Sequence, residues 1–519
     1  MMHRSSRCRP FWFILLGIIC GPLLALSSTY YVDQTNGNDS NSGSSPNTPW
    51  KNCPGMTAWA GSGALQPGDI VYFDRGDTWL VSGLHGLQLL GGVTYIGNVW
   101  GNGTKATLRA NSDLDAGVVR FRDHPTLPTV IEGFNIDANS KVTTGVNINH
   151  TYAGLLNGAT KRVKDCEVHH TWSSVLLSQY KYGIIISNHA GPSCYAENVE
   201  IINCVVHDTS RDAICLYPGD ENADCRIKNI LVRGCEVYNT GQDPNYGAGS
   251  GIVAKGYVQD AIIEYNYVHN TVAAMFFVNS NETHHYNFGP TNIHIRYNVA
   301  TGSTIHGGIR IYDGPNGNDP KDIKVYGNLL YNVPAGGLYL GTDLGNTLNL
   351  LVYNNTFFNA PVVIARNATT VTALEFINNL VYQTSGVPLT DAAGKITKHG
   401  NNLYYRGSGS LVSSNSTNYS AGNLATYESS ALSQDPLFAN SALLPTGFTG
   451  SYGIDLTPDR NGLSLQANSP AINRGAIFGS AYSSSINSIE RLAESWDIGA
   501  YEQSLILPPT NARIIITVY

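Results

Sequence analysis

Nine times between residues 164 and 407 the chain writes a variant of one eight-letter phrase. Four copies are close: KDCEVHHT (164–171), INCVVHDT (202–209), RGCEVYNT (233–240) and EYNYVHNT (264–271). Five are degenerate: RYNVATGS from 296, YGNLLYNV from 326, YNNTFFNA from 353, INNLVYQT from 377 and GNNLYYRG from 400. The third letter runs Cys166, Cys204, Cys235, then Asn266, Asn298, Asn328, Asn355, Asn379 and Asn402, at gaps of 38, 31, 31, 32, 30, 27, 24 and 23 residues. A period in this range is the mark of a solenoid, in which each repeat packs only on its neighbours. One solenoid also accounts for a 519-residue chain without dividing it into several globular domains.

The repeats predict strands. β-branched and aromatic residues alternate with period 2, and no stretch has helical periodicity. Coils of this kind stack strand on strand in parallel at about 4.8 Å, so like residues fall on like. The third-letter column then becomes an internal ladder, first of Cys and then of Asn, whose amides can bond to one another along the stack. A second strand in each coil reads AICLYPGD (213–220), GIVAKGY (251–257), MFFVNSNE (275–282), GIRIYDG (308–314), GLYLGTD (337–343) and VVIARN (362–367). Alternation sends Ile214, Ile252, Phe276, Ile309, Leu338 and Val363 inward, with Leu216, Ala254, Val278, Ile311, Leu340 and Ala365. It sends outward Cys215, Val253, Phe277, Arg310, Tyr339 and Ile364, and also Tyr217, Lys255, Asn279, Tyr312, Gly341 and Arg366.

The rest of the chain frames this solenoid. Residues 1–27 have a basic start, an apolar run and a small-residue finish, the pattern of a secretory signal peptide; Ile19 before Cys20 disfavours a lipoprotein. No later stretch is long and apolar enough for a membrane span. Residues 28–130 are expected to form an N-terminal cap and the first coils, 131–405 the repeats, 406–503 the last coils and a C-terminal cap, and 504–519 a tail. A formal net charge of −7 argues against nucleic acid as a partner. Cys194 and Cys225 form a further column one coil apart, open to a disulfide or a pair of buried thiols. No C-x-x-C or Cys/His cluster suggests a structural zinc site. Spaced oxygen donors at 33–39 (DQTNGND) and 313–319 (DGPNGND) leave calcium open, with ordinary turn chemistry the simpler reading.

The coils and the Asn ladder resemble the right-handed parallel β-helix, or pectate-lyase-like, superfamily. The likeness extends to the N-terminal YYVDQTNGNDSNSG and to DPLF (435–438), SPAINRG (469–475) and DIGAYE (497–502), similar to segments of secreted bacterial β-helix proteins. It implies an all-β, right-handed parallel β-helix solenoid capped at both ends. It does not imply one reaction, because the superfamily includes polysaccharide lyases, glycoside hydrolases, uronate epimerases and phage tailspikes.

Chemistry is expected where the repeat is broken. The outward face of the second strands carries Tyr217, Lys255, Asn279, Arg310 and Tyr312 on four consecutive coils, and the longest insertions fall on the same coils. Such a cationic, aromatic-flanked groove suits an extended acidic polysaccharide bound by a monomer. β-Elimination on a uronate needs a base for the C5 proton and a cation for the enolate-like intermediate. Lys255 is the candidate base and Arg310 the neutralising cation, their backbones about 10 Å apart if they lie two strand spacings from one another; Tyr312, Tyr217 or His284 are candidate acid or substrate-holding groups. Tyr217, Asn279, Arg211, His284, His285 and Asp313 are candidate substrate-binding groups. His169, His170, His207 and His269 lie inside the repeated phrase and read as turn structure. Two alternatives stand beside this: hydrolysis by paired carboxylates among Asp212, Asp220, Glu282 and Asp313, and a glycan-binding module without catalysis.

Overall fold

The computed structural model describes residues 27–114, 117–149, 158–172, 181–187, 195–218, 226–243, 249–280, 289–312, 320–341, 349–365, 372–450, 455–492 and 494–503. Among these residues three long sheets run the length of the molecule, with 13 strands in sheet I, 13 in sheet II and 12 in sheet III. Each coil gives one strand to each sheet in the order I, III, II. Arg226–Arg233 lies in sheet I, Glu236–Tyr238 in sheet III and Ile252–Lys255 in sheet II, and Val258–Glu264 returns to sheet I. Every pairing within the coils is parallel; only Thr417–Tyr419 closes sheet II antiparallel. The fold is an all-β parallel β-helix.

The repeated phrase turns the corner from sheet I to sheet III, and the ladder lies inside that corner. Asn266, Asn298, Asn328, Asn355, Asn379 and Asn402 are all fully buried. Each amide nitrogen from Asn266 to Asn355 donates to the oxygen of the next rung at 2.9–3.0 Å, and Asn379 donates to Asn402 at 3.3 Å. Each also donates to a main-chain carbonyl, as Asn298 does to Ile263 at 2.9 Å. Burying an amide is tolerated because every polar atom finds a partner. The stack ends on Glu428, whose carboxylate accepts from Asn402 at 3.0 Å and from the Tyr404 hydroxyl at 3.0 Å. Cys166, Cys204 and Cys235 continue the ladder toward the N-terminus as buried free thiols; Cys194 and Cys225 lie outside the described residues.

The residue before each rung makes the corner by a left-handed twist. Asn354, Asn378 and Asn401 adopt φ of 52–59°, as do Tyr265 and Tyr297 at 53° and 54°. Gly327 takes the position at 65°, where a Cβ would stand 2.5 Å from the Tyr297 ring, so only glycine fits.

Sheet II confirms the outward columns over four coils. Lys255 pairs with Asn279, and Asn279 with Tyr312; Val253, Phe277, Arg310 and Tyr339 form the neighbouring column. The last coil differs from expectation by one residue. Leu338 pairs with Val362 and Leu340 with Ile364, so Val362 and Ile364 are buried while Val363 faces out. The segment PVVIA has no polar alternation, so its sequence cannot choose a face. The coils also begin earlier than the phrase does: Thr29–Val32, Ile70–Phe73 and Thr94–Ile96 already pair in register in sheet I.

The described residues of 435–503 fold back over sheet III and part of sheet I, where Phe478 stacks on Tyr353 and Tyr482 meets Tyr326 edge-on. The Tyr331 hydroxyl donates to Pro445 O at 2.5 Å, Ala500 N donates to Thr356 Oγ1 at 2.9 Å, and Phe438 packs edge-on to Phe358. Arg491 anchors this segment from within, donating to Glu502 at 2.7 Å and to the carbonyls of Asp497 and Gly499.

Candidate functional site

The outer faces of the three sheets differ in how they hold their cations. On sheet I they are neutralised by carboxylates: Arg162 meets Glu200 at 2.6 Å, Lys164 meets Glu132 at 2.8 Å, and Arg233 and Arg296 both bind Glu264. On sheet III Arg109 meets Asp137 at 3.0 Å, and His207 and His269 lie 3.2 and 3.1 Å from Glu167 and Glu236. On sheet II two cations, Arg310 and Lys255, rest on rings. The Arg310 guanidinium sits 4.9 Å from the Tyr312 ring centroid, with Phe277 and Tyr339 each at 5.6 Å. The Lys255 ammonium lies 5.0 Å over Tyr217. Ring faces attract a cation without cancelling its charge. Among the described residues Arg310, Arg120 and Arg122 make no ion pair, and the Nε atoms of Arg120 and Arg310 are buried without a hydrogen bond.

Lys255 closes the strand Ile252–Lys255, and Arg310 sits second in Ile309–Tyr312, two coils further on. The register offsets them by two residues along the strand as well as by two strands. Their backbones are thus about 12 Å apart on ordinary strand dimensions, somewhat more than a purely lateral separation. Asn279, buried, lies between Lys255 and Tyr312 in the same column. Tyr217 is only 3% exposed and packs with Tyr182, Ile185, Cys215 and Val253, so its ring floors the site beneath Lys255. Gly341 follows Tyr312 in the column; a Cβ there would stand 2.4 Å from the Tyr312 ring.

Arg211 lies at the opposite end of these strands, 3.5 Å from Asp212, whose carboxylate accepts from Ser250 N at 2.8 Å. The structure thus brings together Lys255, Arg310, Tyr312, Tyr217 and Asn279, and sets Arg211 apart. His284, His285 and Asp313 lie outside the described residues, as do the second oxygen-rich loop, 313–319, and the carboxylates Asp220 and Glu282. At 33–39, Asp33 accepts from Thr35 N and Asn36 N at 2.9 and 2.6 Å, and Asp39 accepts from Lys51 N and Asn52 N at 3.0 and 2.7 Å. That is turn chemistry.

One further group lies beside the site, and another lies six strands away in the Arg310 column. His306, on the turn leading into the Arg310 strand, has its pKa pushed down by burial and then by the Arg310 charge. Arg120 continues the Arg310 column toward the N-terminus through Asn147, Ile185, Cys215 and Val253. Its pKa is lowered by burial and by Arg122. His306 is legible in the sequence as a loop residue just before the Arg310 strand; Arg120 sits on coils that lack the repeated phrase.

No protein-family model matches the chain, and no curated protein matches it in sequence. Solved structures do. XylC in complex with xylose aligns with a TM-score of 0.51 at 10% identity, over 91% of this chain and 98% of that one. The pectate lyase Pel9A aligns at 0.47 and 16% identity, over 92% and 98%. A GH136 lacto-N-biosidase from Eubacterium ramulus aligns at 0.38 and 15%, over 79% and 67%. At these identities the likeness is one of fold alone; the three stacked parallel sheets identify the chain as a parallel β-helix protein.

Proposed function

We propose that this chain is an exported enzyme that cleaves an acidic, uronate-containing polysaccharide by β-elimination on the outer face of sheet II. The observation that carries the reading is the Arg310 cage, in which three aromatic rings hold a guanidinium whose charge no described carboxylate cancels. Arg310 would receive the uronate carboxylate and stabilise the negative charge that develops on it. The free amine of Lys255 would take the C5 proton. The C5 electron pair would form the C4–C5 double bond as the C4–O bond breaks, and Tyr312 would give its hydroxyl proton to the departing oxygen. Asn279 and Tyr217 would hold sugar and base in place. The hydrolytic reading finds less support, because Asp212 is committed to Ser250 N and Arg211.

Incubation with a panel of uronate polysaccharides is expected to yield ultraviolet-absorbing unsaturated ends. New reducing ends without that absorbance would replace the lyase reading with a hydrolase, and binding without cleavage would leave a glycan-binding module. Lys255→Ala is expected to abolish the absorbance increase with far-ultraviolet circular dichroism unchanged; full turnover by this variant would remove Lys255 from the site.

A further inference from the structure

The first full copy of the repeated phrase, KDCEVHHT, is the one of the four close copies with histidine at both central positions; later copies read HD, YN and HN there. The second of these positions adopts a left-handed backbone on successive coils, at His170 (φ 56°), Asp208 (49°), Asn239 (49°) and Asn270 (52°). That twist cancels the usual alternation, so His170 swings to the same side as His169. Their Nδ1 atoms lie 2.6 Å apart. Asp137, paired with His169 from the preceding coil, brings its Oδ1 to 3.3 Å from His170 Nδ1 and 3.7 Å from His169 Nδ1. A tetrahedral ion bonded at zinc–nitrogen lengths needs ligand atoms about 3.3 Å apart, and the three distances bracket that value.

The surroundings are built in the same sense. The Asn135 amide donates to Thr107 Oγ1 at 3.4 Å, which turns its oxygen toward His169 Nε2 at 2.7 Å. Nε2 therefore carries the hydrogen, and the lone pair of His169 stands on Nδ1, facing the other two atoms. Arg109 holds the far oxygen of Asp137 at 3.0 Å, and Asn139 N donates to the near one at 2.7 Å. His169 and Asp137 are buried while the His170 side chain is 49% exposed, which gives an ion a path in and leaves room for water on the outer side.

We infer that Asp137, His169 and His170 form a binding site for a divalent transition-metal ion of the zinc type, bridging two successive coils on sheet III. Two imidazoles and one carboxylate select such an ion over calcium, which takes oxygen donors. The site is separate from the Lys255–Arg310 face and does not depend on its chemistry. The test is calorimetric titration of tag-free, chelator-treated protein with Zn2+ and, in parallel, Ca2+. One equivalent of Zn2+ is expected to bind, with no calcium counterpart and with a raised Tm. His170→Asn places the residue that later coils use at this turn, so the fold is expected to stay intact while Zn2+ affinity falls at least 100-fold. Asn135→Ala is expected to weaken binding about 10–100-fold through loss of ligand orientation. Cobalt substitution should give a visible ligand-field band that His170→Asn and Asp137→Asn both remove. Absence of Zn2+ binding, or binding that is equal in wild type and His170→Asn, would overturn the inference and leave a His170 Nδ1–H to His169 Nδ1 hydrogen bond as the purpose of the pair.

Discussion

Replacing Asn328 by Leu tests the ladder at its centre. Leu keeps the branching and heavy-atom count of Asn, so no cavity opens; its bulkier methyl groups add over-packing to the loss of hydrogen bonds. Asn328 Oδ1 is the acceptor for Asn298 N at 3.1 Å and for Asn298 Nδ2 at 2.9 Å; both are fully buried. Asn328 Nδ2 also leaves Ile295 O, which it reaches at 2.8 Å, while Asn355 Oδ1 keeps the Asn328 main-chain N–H at 3.0 Å. Two donors are therefore orphaned out of reach of water, at about 1–3 kcal/mol each. The expected loss is about 2–6 kcal/mol, a large share of a typical folding free energy. Urea unfolding followed by circular dichroism would measure it. Asn349→Ala is the control, since that amide bonds Asp322 at 2.8 Å on an exposed surface and should cost no more than about 0.5 kcal/mol. A loss below about 1 kcal/mol for Asn328→Leu would refute the view that these amides are held by one another.

Two further outcomes follow from the packing around the sheets. Gly341→Ala puts a methyl group 2.4 Å from the Tyr312 ring; on the lyase reading kcat/KM should fall at least tenfold, with about 1–3 kcal/mol of strain, and unchanged turnover would remove Tyr312 from the chemistry. His294 has its pKa pushed down to about 4 by burial, then by Lys324 and Arg296. The unfolded chain, with its ordinary value of about 6.5, takes up that proton first, so stability should decline as pH drops from 6.5 toward 4. His169 and His306 are shifted the same way, and His294→Gln should flatten part of the decline in pH-dependent unfolding midpoints.

The ladder was legible because a buried column tolerates few residue types, so the third letter of the phrase repeats even where the rest decays. The outward columns were legible wherever apolar and polar residues alternate, as in IVAK and IRIY, and failed at PVVIA, where both faces look alike. Contacts between coils were the hardest to read. Asp137 lies 32 residues before His169, outside any copy of the phrase, and the convergence with His170 depends on a backbone twist that reverses the side-chain alternation. The Arg310 cage draws Phe277, Tyr312 and Tyr339 from three coils; the sequence places all three outward without saying which ring faces the guanidinium.

The three faces compete for the role of binding surface, and the chain itself decides among them. From Tyr331 onward sheet III is covered by the C-terminal segment, through Phe438, Pro445 and Ala500. That leaves only its N-terminal half, where the ring column His169, His207, Tyr238 and His269 stacks face to face. Rings stacked on each other offer edges and not faces to a sugar. Sheet I is overlaid in part by the same segment, since Arg233, Glu264 and Arg296 share a pocket with Leu456, Ala481 and Ser484 and Tyr326 and Tyr353 pack on Tyr482, and pulling Arg233 or Arg296 from Glu264 would strand a carboxylate that is 1% exposed. An anionic ligand there would have to repay that cost before gaining anything. On sheet II the cost is absent for Arg310, whose cation rests on three rings and makes no ion pair among the described residues. The connections that follow the sheet II strands, such as 280–290 and 313–320, also have more residues than the corner between sheets I and III.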